Sequence, residues 1–542
     1  MSDKGEAKSG VVEWQPEIPD KHPSLLEPAV FIPGILMGIL GIIIGAELLT
    51  RVGITPNTSV IGAIVAMAVS RIPIMLLRKL RSVHRQNLIQ TVISGATFGG
   101  ANGVLLPMGI LWLFGRTDLV WVMLIGAVIG LVTDMTILYK VYDTSPFPAT
   151  GIWPPGVATA ETIIAGDAGG KRARNLVFGG IAGAVGRYLG APMDVFGVCW
   201  IGNIWALTMF AVGLLIRGYA IILIKLDITN IYLPHGMMIG AGLVALVQII
   251  TLMFKRYGKS TTKTENAPTR TGLDLRQGFG RGFGVFLLGA LFLAVVGGLL
   301  TDMSVWQIIL FVIFAAVAAE ISEIIVGLSA MHAGWFPAFA TALIFLVLGM
   351  LIGFPPLALA LLVGYTAATG PAFADMGYDL KAGWILRGRG KYPEFEKAGR
   401  RQQYWAEILG FACAVVFLAI FHGAYFRADL FPPVDRVFVK TIEAGTSPEV
   451  LRWLLIWAIP GALIQALGGA RRQMGVLLAT GLLINYPIAG WTAVVALITR
   501  VILYKAFGKE KVQGTMYVLA GGFIAGSALV SFGTGTVSAL RR

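Results

Sequence analysis

Glu320 and Glu323 stand three residues apart in AAVAAEISEIIVG, a spacing that places both carboxyls on one face of a helix. Two carboxyls that close resist ionising together, which suits a site that must load and unload protons. The competing reading is an ion pair with Arg71 or Arg187 that ties helices together. Asp375 and Asp379, in TGPAFADMGYDLK, lie one helical turn apart after a Gly-Pro break, beside Tyr378 and Lys381. They serve either a gate or ligand site or a helix exit into a basic loop. Glu161 lies in PPGVATAETIIAG, where Pro154 and Pro155 open a short helix. Amides near Gly156, at the start of that helix, would offer partial positive charge to an anion. Glu161 is flanked by Ala160, Ile163 and Ile164 and is read as internal, whereas Asp167, near Lys171 and Arg172, is read as solvated.

These charges must be carried by elements that cross a bilayer. The chain of 542 residues has 43 Lys and Arg and 29 Asp and Glu, only 13% charged, against 56% hydrophobic residues and a mean hydropathy of +0.77. A soluble domain carries roughly 25% charge, so soluble domains of this length could not be covered. The expected fold is an all-α polytopic membrane protein with about 14–16 transmembrane helices in two pseudo-symmetric halves that contain re-entrant half-helices. Glu47, Arg71, Asp134, Glu161, Arg187, Asp194, Glu320, Glu323 and Glu407 all fall inside apolar runs. At about 2.5–3.5 kcal/mol each at mid-bilayer they must face the protein interior, a cavity or an interface. Asp134 is within two turns of Lys140 and is expected near the membrane surface in a structural role; Glu47 and Glu407 are expected near helix ends.

Basic clusters at Arg78–Arg85, Lys255–Arg281, Arg387–Arg401 and Arg500–Lys511 separate the runs, while Arg116–Asp118, Thr301–Ser304 and Arg427–Glu449 are poor in bases. The positive-inside rule places the clusters, and with them the N-terminus, in the cytoplasm of a multi-pass protein of the cell membrane. Residues 1–28 form a polar cytoplasmic tail without a signal-peptide apolar core. Residues 29–254 and 282–542 form the two membrane halves, joined by the cytoplasmic linker 255–281. Each half contains a proline-opened interruption, PFPATGIWPPGVATAE and NYPIAGWTAV, the pattern of a transporter built from repeats.

The net charge of +14 is spread over these loops rather than gathered on a face, so nucleic acid is not an expected partner. Cys199 and Cys413 are isolated in apolar stretches, and His332 has no second His or Cys at ligand spacing, so no metal or other cofactor is expected. GFGRGFG (Gly278–Gly284) lacks the strand and Lys-Ser/Thr ending of a phosphate loop. The strips Gly34, Gly38, Gly41, Gly45 and Gly179, Gly183, Gly186 suit close helix packing and are compatible with a monomer or a homo-oligomer.

Four stretches resemble the oligopeptide transporter (OPT) family: RQNLIQTVISGATFGGANGVLLP (Arg85–Pro107), PFPATGIWPPGVATAETIIAG (Pro146–Gly166), SEIIVGLSAMHAGWFP (Ser322–Pro337) and ADMGYDLKAG (Ala374–Gly383). The chain departs from that pattern at Ala374, where the family has glycine, and at HAGWFP, where it has Asn-Pro. The resemblance implies a proton-coupled secondary transporter that imports short oligopeptides or, alternatively, metal-chelate or siderophore complexes. On that reading Glu161, Gly156, Asn102, Arg187, Asn485 and Tyr486 bind substrate. Glu161, Glu320, Glu323, Asp375 and Asp379 couple it to protons. An ion channel would use the same half-helices as a filter. An intramembrane enzyme would need a nucleophile–base or metal constellation, which the sequence does not offer, so the protein is read as no enzyme.

Overall fold

Every element among the described residues is a helix, as the long apolar runs require of a chain whose backbone must satisfy its own hydrogen bonds in lipid. The computed structural model describes residues 15–52, 62–63, 67, 78–257, 269–334, 338–445, 448–469 and 472–540. Most of the run expected at Val60–Leu80, with Arg71, and the side chain of His332 lie outside the described residues. In chain order the helices are α1 (Pro28–Val52), α2 (Val83–Leu113), α3 (Val120–Val141), α4 (Pro154–Ala168), α5 (Gly170–Tyr188), α6 (Met193–Ile201), α7 (Ile204–Ile224) and α8 (Leu233–Tyr257). Beyond the linker come α9 (Gly272–Val296), α10 (Val305–Ala333), α11 (Ala338–Ile352), α12 (Pro356–Ala368), α13 (Pro371–Leu386) and α14 (Pro393–Arg427). The chain ends with α15 (Pro433–Ala444), α16 (Pro448–Gly468), α17 (Met474–Leu483), α18 (Pro487–Phe507) and α19 (Lys509–Leu540). Among the described residues, 11 helical spans are long and apolar enough to cross a membrane, and three shorter apolar helices accompany them.

Two hydrophobic cores organise these helices. One draws on α1–α3 and α9–α15, the other on α6–α8 and α17–α19. Each half of the sequence therefore contributes first to one core and then to the other, as two copies of a repeat would. The second core repeats its contacts reciprocally. α5 lies along α19 while α8 lies along α16, and α7 packs on α17 while α18 packs on α6. Both long pairs use small residues to bring backbones together. A Cβ on Gly183 would overlap the Phe523 carbonyl, and one on Gly240 the Ala458 carbonyl. The α1 strip works the same way, Gly38 against Cys413 and Gly45 against Thr97.

Broken helices lie where proline and glycine interrupt apolar sequence. α6 and α17 have 9 and 10 residues and pass through short breaks into α7 and α18, which have 21 residues each. α4 has 15 residues, roughly 22 Å at 1.5 Å per residue, less than the roughly 30 Å of a hydrocarbon core. It starts at Trp153, held at φ 38°, and ends at Gly169, whose φ of 65° and missing side chain let the chain turn straight into α5.

Candidate functional site

The two most enclosed spans cross at the centre of the first core, and both are irregular there. α2 is π-helical from Gly95 to Leu105, a departure that often marks functional positions. The α12–α13 span breaks at Thr369–Gly370, where Gly370 takes φ 104° and Pro371 restarts the helix. A helix beginning at membrane depth leaves amide groups to satisfy. Asp134 on α3 satisfies two of them, its Oδ2 accepting from the backbone of Gly370 at 2.8 Å and Phe373 at 2.9 Å. Asp134 is thus a helix cap supplied by a neighbouring helix, a structural role as expected, and it performs that role fully buried among the helices.

Around that cap six carboxyls gather from four helices. Glu323 on α10 is fully buried and faces the Asp134 and Glu320 carboxyls. Asp375 on α13 is buried and accepts a 2.5 Å hydrogen bond from the Ser94 hydroxyl, where the π-helical stretch of α2 begins. Asp379, one turn on, is also buried, and its backbone carbonyl accepts from Gln403 Nε2 at 2.6 Å. Glu407, one turn beyond Gln403 on α14, lies against Gly95 and within electrostatic reach of Asp375, Asp379 and Asp134. Neither of its oxygens has a hydrogen-bond partner among the described residues. No described arginine or lysine forms an ion pair with Asp134, Glu320, Glu323, Asp375 or Glu407. The expected run from Ala406 is the inner part of a 35-residue helix that starts at Pro393, so Glu407 stands deep in α14 rather than near its end.

On one side the cluster abuts a chain of buried ion pairs. Asp143 meets Arg400 at 3.2 Å, Arg400 meets Glu396 at 2.8 Å, and Glu396 meets Arg387 at 2.7 Å. Arg387 donates to Gln403 Oε1 at 2.8 Å, and Gln403 Nε2 closes the path onto Asp379 and, at 3.2 Å, the Thr91 hydroxyl. Asp143 also accepts from the Thr269 hydroxyl at 2.5 Å, which fastens the end of the linker. Lys381 donates to the Ala149 carbonyl at 2.9 Å and sits 4.3 Å over the Trp384 ring. Arg387 and Arg400 of the basic stretch Arg387–Arg401 are therefore built into the molecule, while Arg389, Lys391, Lys397 and Arg401 are exposed.

The remaining candidates lie elsewhere. Glu161 is half-buried and lines a cavity of about 360 Å³ with Arg172, Arg389, Lys391 and Tyr392. Gly156 is buried where α4 crosses α13; a Cβ there would overlap the Tyr378 carbonyl. Asn102 is buried in the π-helical stretch and donates to the Phe98 carbonyl at 2.8 Å. Arg187 on α5 donates to the Tyr486 hydroxyl at 3.4 Å in the second core, and Asn485 beside it is exposed. Glu320, Glu323, Asp375 and Asp379 are thus brought together. Glu161 has its own cavity, and Arg187 and Tyr486 pair away from the carboxyl cluster. Sequence reading missed Ser94 and Gln403. The i, i+4 spacing of Gln403 and Glu407 in QQYWAE was the available signal.

The sequence model described as OPT oligopeptide transporter protein matches residues 28–254 and 229–535. No curated protein matches the chain. With both of its halves covered, the chain belongs to the OPT oligopeptide transporter family, a multi-pass membrane transporter.

Proposed function

We propose that the protein is a proton-coupled symporter that imports short oligopeptides across the cell membrane. The cluster of Asp134, Glu320, Glu323, Asp375, Asp379 and Glu407 supports the coupling half of this reading. Six carboxyls beside one broken and one π-helical span, five of them without a basic partner among the described residues, cannot all carry charge. Their proton occupancy is then tied to the charge at the centre of the protein, which is what a coupling site requires. Two protons moving down about 150 mV release roughly 7 kcal/mol, enough to support accumulation near 10⁵-fold. The end that gathers the N-terminal segment, Arg85, Thr269 and Arg387–Arg400 is assigned to the cytoplasm by its basic residues.

The test is uptake into inside-alkaline proteoliposomes of a mixed di- to hexapeptide pool beside ferric and nickel chelates, with a protonophore control. Peptide accumulation that collapses with protonophore supports the reading. Accumulation of chelates alone replaces the substrate, and ion current without accumulation of either overturns the transporter.

A further inference from the structure

The stretch GFGRGFG is helical and forms one wall of a crevice of about 430 Å³ between α3 and α9. Two of its glycines let the walls meet closely. A Cβ on Gly282 would overlap Ile137, and one on Gly278 would stand 2.7 Å from Val141. The crevice is graded from one end to the other. Its mouth, at the end where the basic segments gather, carries Lys140, Arg270 and Arg281. Its deeper wall is Val132, Thr133, Thr136, Ile137 and Val285, and the two threonine hydroxyls are spent on the Ile129 and Val132 carbonyls of their own helix. Val285 lies roughly 16 Å beyond Asp274 at 1.5 Å per residue, inside the apolar part of α9.

The charges at the mouth are unbalanced. Asp274 is the one carboxylate there, and its Oδ2 is occupied by the Thr271 amide at 2.8 Å and the Thr271 hydroxyl at 2.9 Å, the cap that starts α9. Arg270 is half-buried, donates to the Tyr139 carbonyl and lies 5.2 Å over the Tyr139 ring. Lys140 and Arg281 are exposed and form no ion pair among the described residues. A soluble anion would satisfy the mouth and leave the apolar wall bare, whereas an apolar ligand would leave the cations unmatched. Both α3 and α9 belong to spans long enough to cross a bilayer, and Val285 is exposed on α9, open to an acyl chain alongside it.

We propose that this crevice is a binding site for one anionic glycerophospholipid, its phosphate held by Lys140, Arg270 and Arg281 and its upper acyl chain laid against Val132, Ile137 and Val285. Charge complementarity at the mouth and the depth of the apolar wall select this occupant, since basic pockets between membrane helices on the inner face hold acidic headgroups. The site stands one turn from the coupling cluster on the same helix, as Thr133 and Thr136 line the crevice and Asp134 lies between them on α3.

The experiment is native mass spectrometry of the full-length chain released from nanodiscs of phosphatidylcholine containing a minor fraction of phosphatidylglycerol. The wild type should retain phosphatidylglycerol well above its share of the disc. Lys140→Gln/Arg281→Gln should lower that preference about tenfold. Val285→Trp, which fills the wall and leaves every charge in place, should lower it as well. Lys505→Gln/Lys509→Gln, an equal loss of charge on exposed residues of another basic segment, should leave it unchanged. Equal retention of the two lipids by the wild type overturns the site. So does an equal loss in both double variants, which would mean general attraction to an acidic surface, or full retention by Val285→Trp. Because the readout is lipid retention, it stands apart from the uptake test of transport.

Discussion

The carboxyl of Glu407 tests the coupling reading most directly at the level of single residues, because nothing among the described residues answers its charge. Glu407→Gln keeps the shape and removes the proton site. It should abolish protonophore-sensitive accumulation while leaving the melting temperature within a few degrees of wild type, since a buried neutral amide costs less than an unpaired charge. Uptake that stays proton-dependent in this variant would remove Glu407 from the cluster's function. Asp134 predicts the opposite balance. Its carboxylate ends two backbone amides at the start of α13, so Asp134→Ala should destabilise by about 1–3 kcal/mol for each amide left bare. Asp134→Asn keeps an acceptor oxygen and should recover much of that loss. Comparing the two by denaturation separates the capping role from any role in proton transfer. Glu396 lies between Arg387 and Arg400; Glu396→Gln leaves the buried Arg387 without an ion pair and Arg400 with Asp143 alone, and should cost about 3–5 kcal/mol.

Helix crossings make equally sharp predictions, and they show what the sequence could and could not disclose. Gly180 and Gly183 are both on α5, but a Cβ on Gly180 meets nothing within 4 Å, whereas one on Gly183 overlaps the Phe523 carbonyl of α19. Gly183→Ala should therefore force α5 and α19 apart and destabilise by about 1–3 kcal/mol. Gly180→Ala should be neutral or stabilising by about 0.5–1 kcal/mol, because alanine favours the helix. Thermal unfolding of the pair in one detergent decides it; equal effects would mean that the α5–α19 crossing is looser than its backbone spacing. The strip Gly179–Gly186 was legible because small residues at helical spacing have one common use. The breaks before Pro154 and Pro487 were legible because proline and glycine act locally. The depth of Glu407 was not, since α14 opens with the polar stretch PEFEKAGRRQQY. Only its inward face, with Glu396, Arg400 and Gln403, is buried, through ion pairs and hydrogen bonds, so that stretch shows no apolar run. The partner of Asp134 was hidden for a related reason. Its proximity to Lys140 is visible in sequence, but the amides it caps belong to a helix more than 200 residues away.

At the level of the whole molecule, one end is tied together by contacts from segments distant in sequence. The N-terminal segment lies across it: Leu25 donates to Gln402 at 2.8 Å, Glu27 pairs with Arg85 at 2.8 Å, and the His84 ring meets the Glu17 carbonyl at 2.9 Å. His22 packs 4.9 Å from the Phe395 ring and 5.5 Å from His84. Burial, reinforced by the Arg387 charge, pushes the His22 pKa from 6.5 down to about 3, with Pro23 and Glu396 pulling weakly the other way. The folded form therefore holds His22 neutral, while the released segment binds a proton below about 6.5. A histidine depressed in this way stabilises docking fully above pH 6.5 and loses that contribution as pH falls toward 3. At pH 5 the loss is about 2 kcal/mol at 1.36 kcal/mol per pH unit. Acidification from pH 7.5 to 5 should accordingly loosen residues 15–27 from α2 and α14, seen as lower amide protection factors in that segment once each exchange rate is divided by its intrinsic, base-catalysed rate at the same pH. His22→Phe, which keeps the ring packing and cannot take up a proton, should keep protection there closer to its neutral-pH value. If the protection factors of residues 15–27 are the same at both pH values in the wild type, His22 does not govern how this end is held.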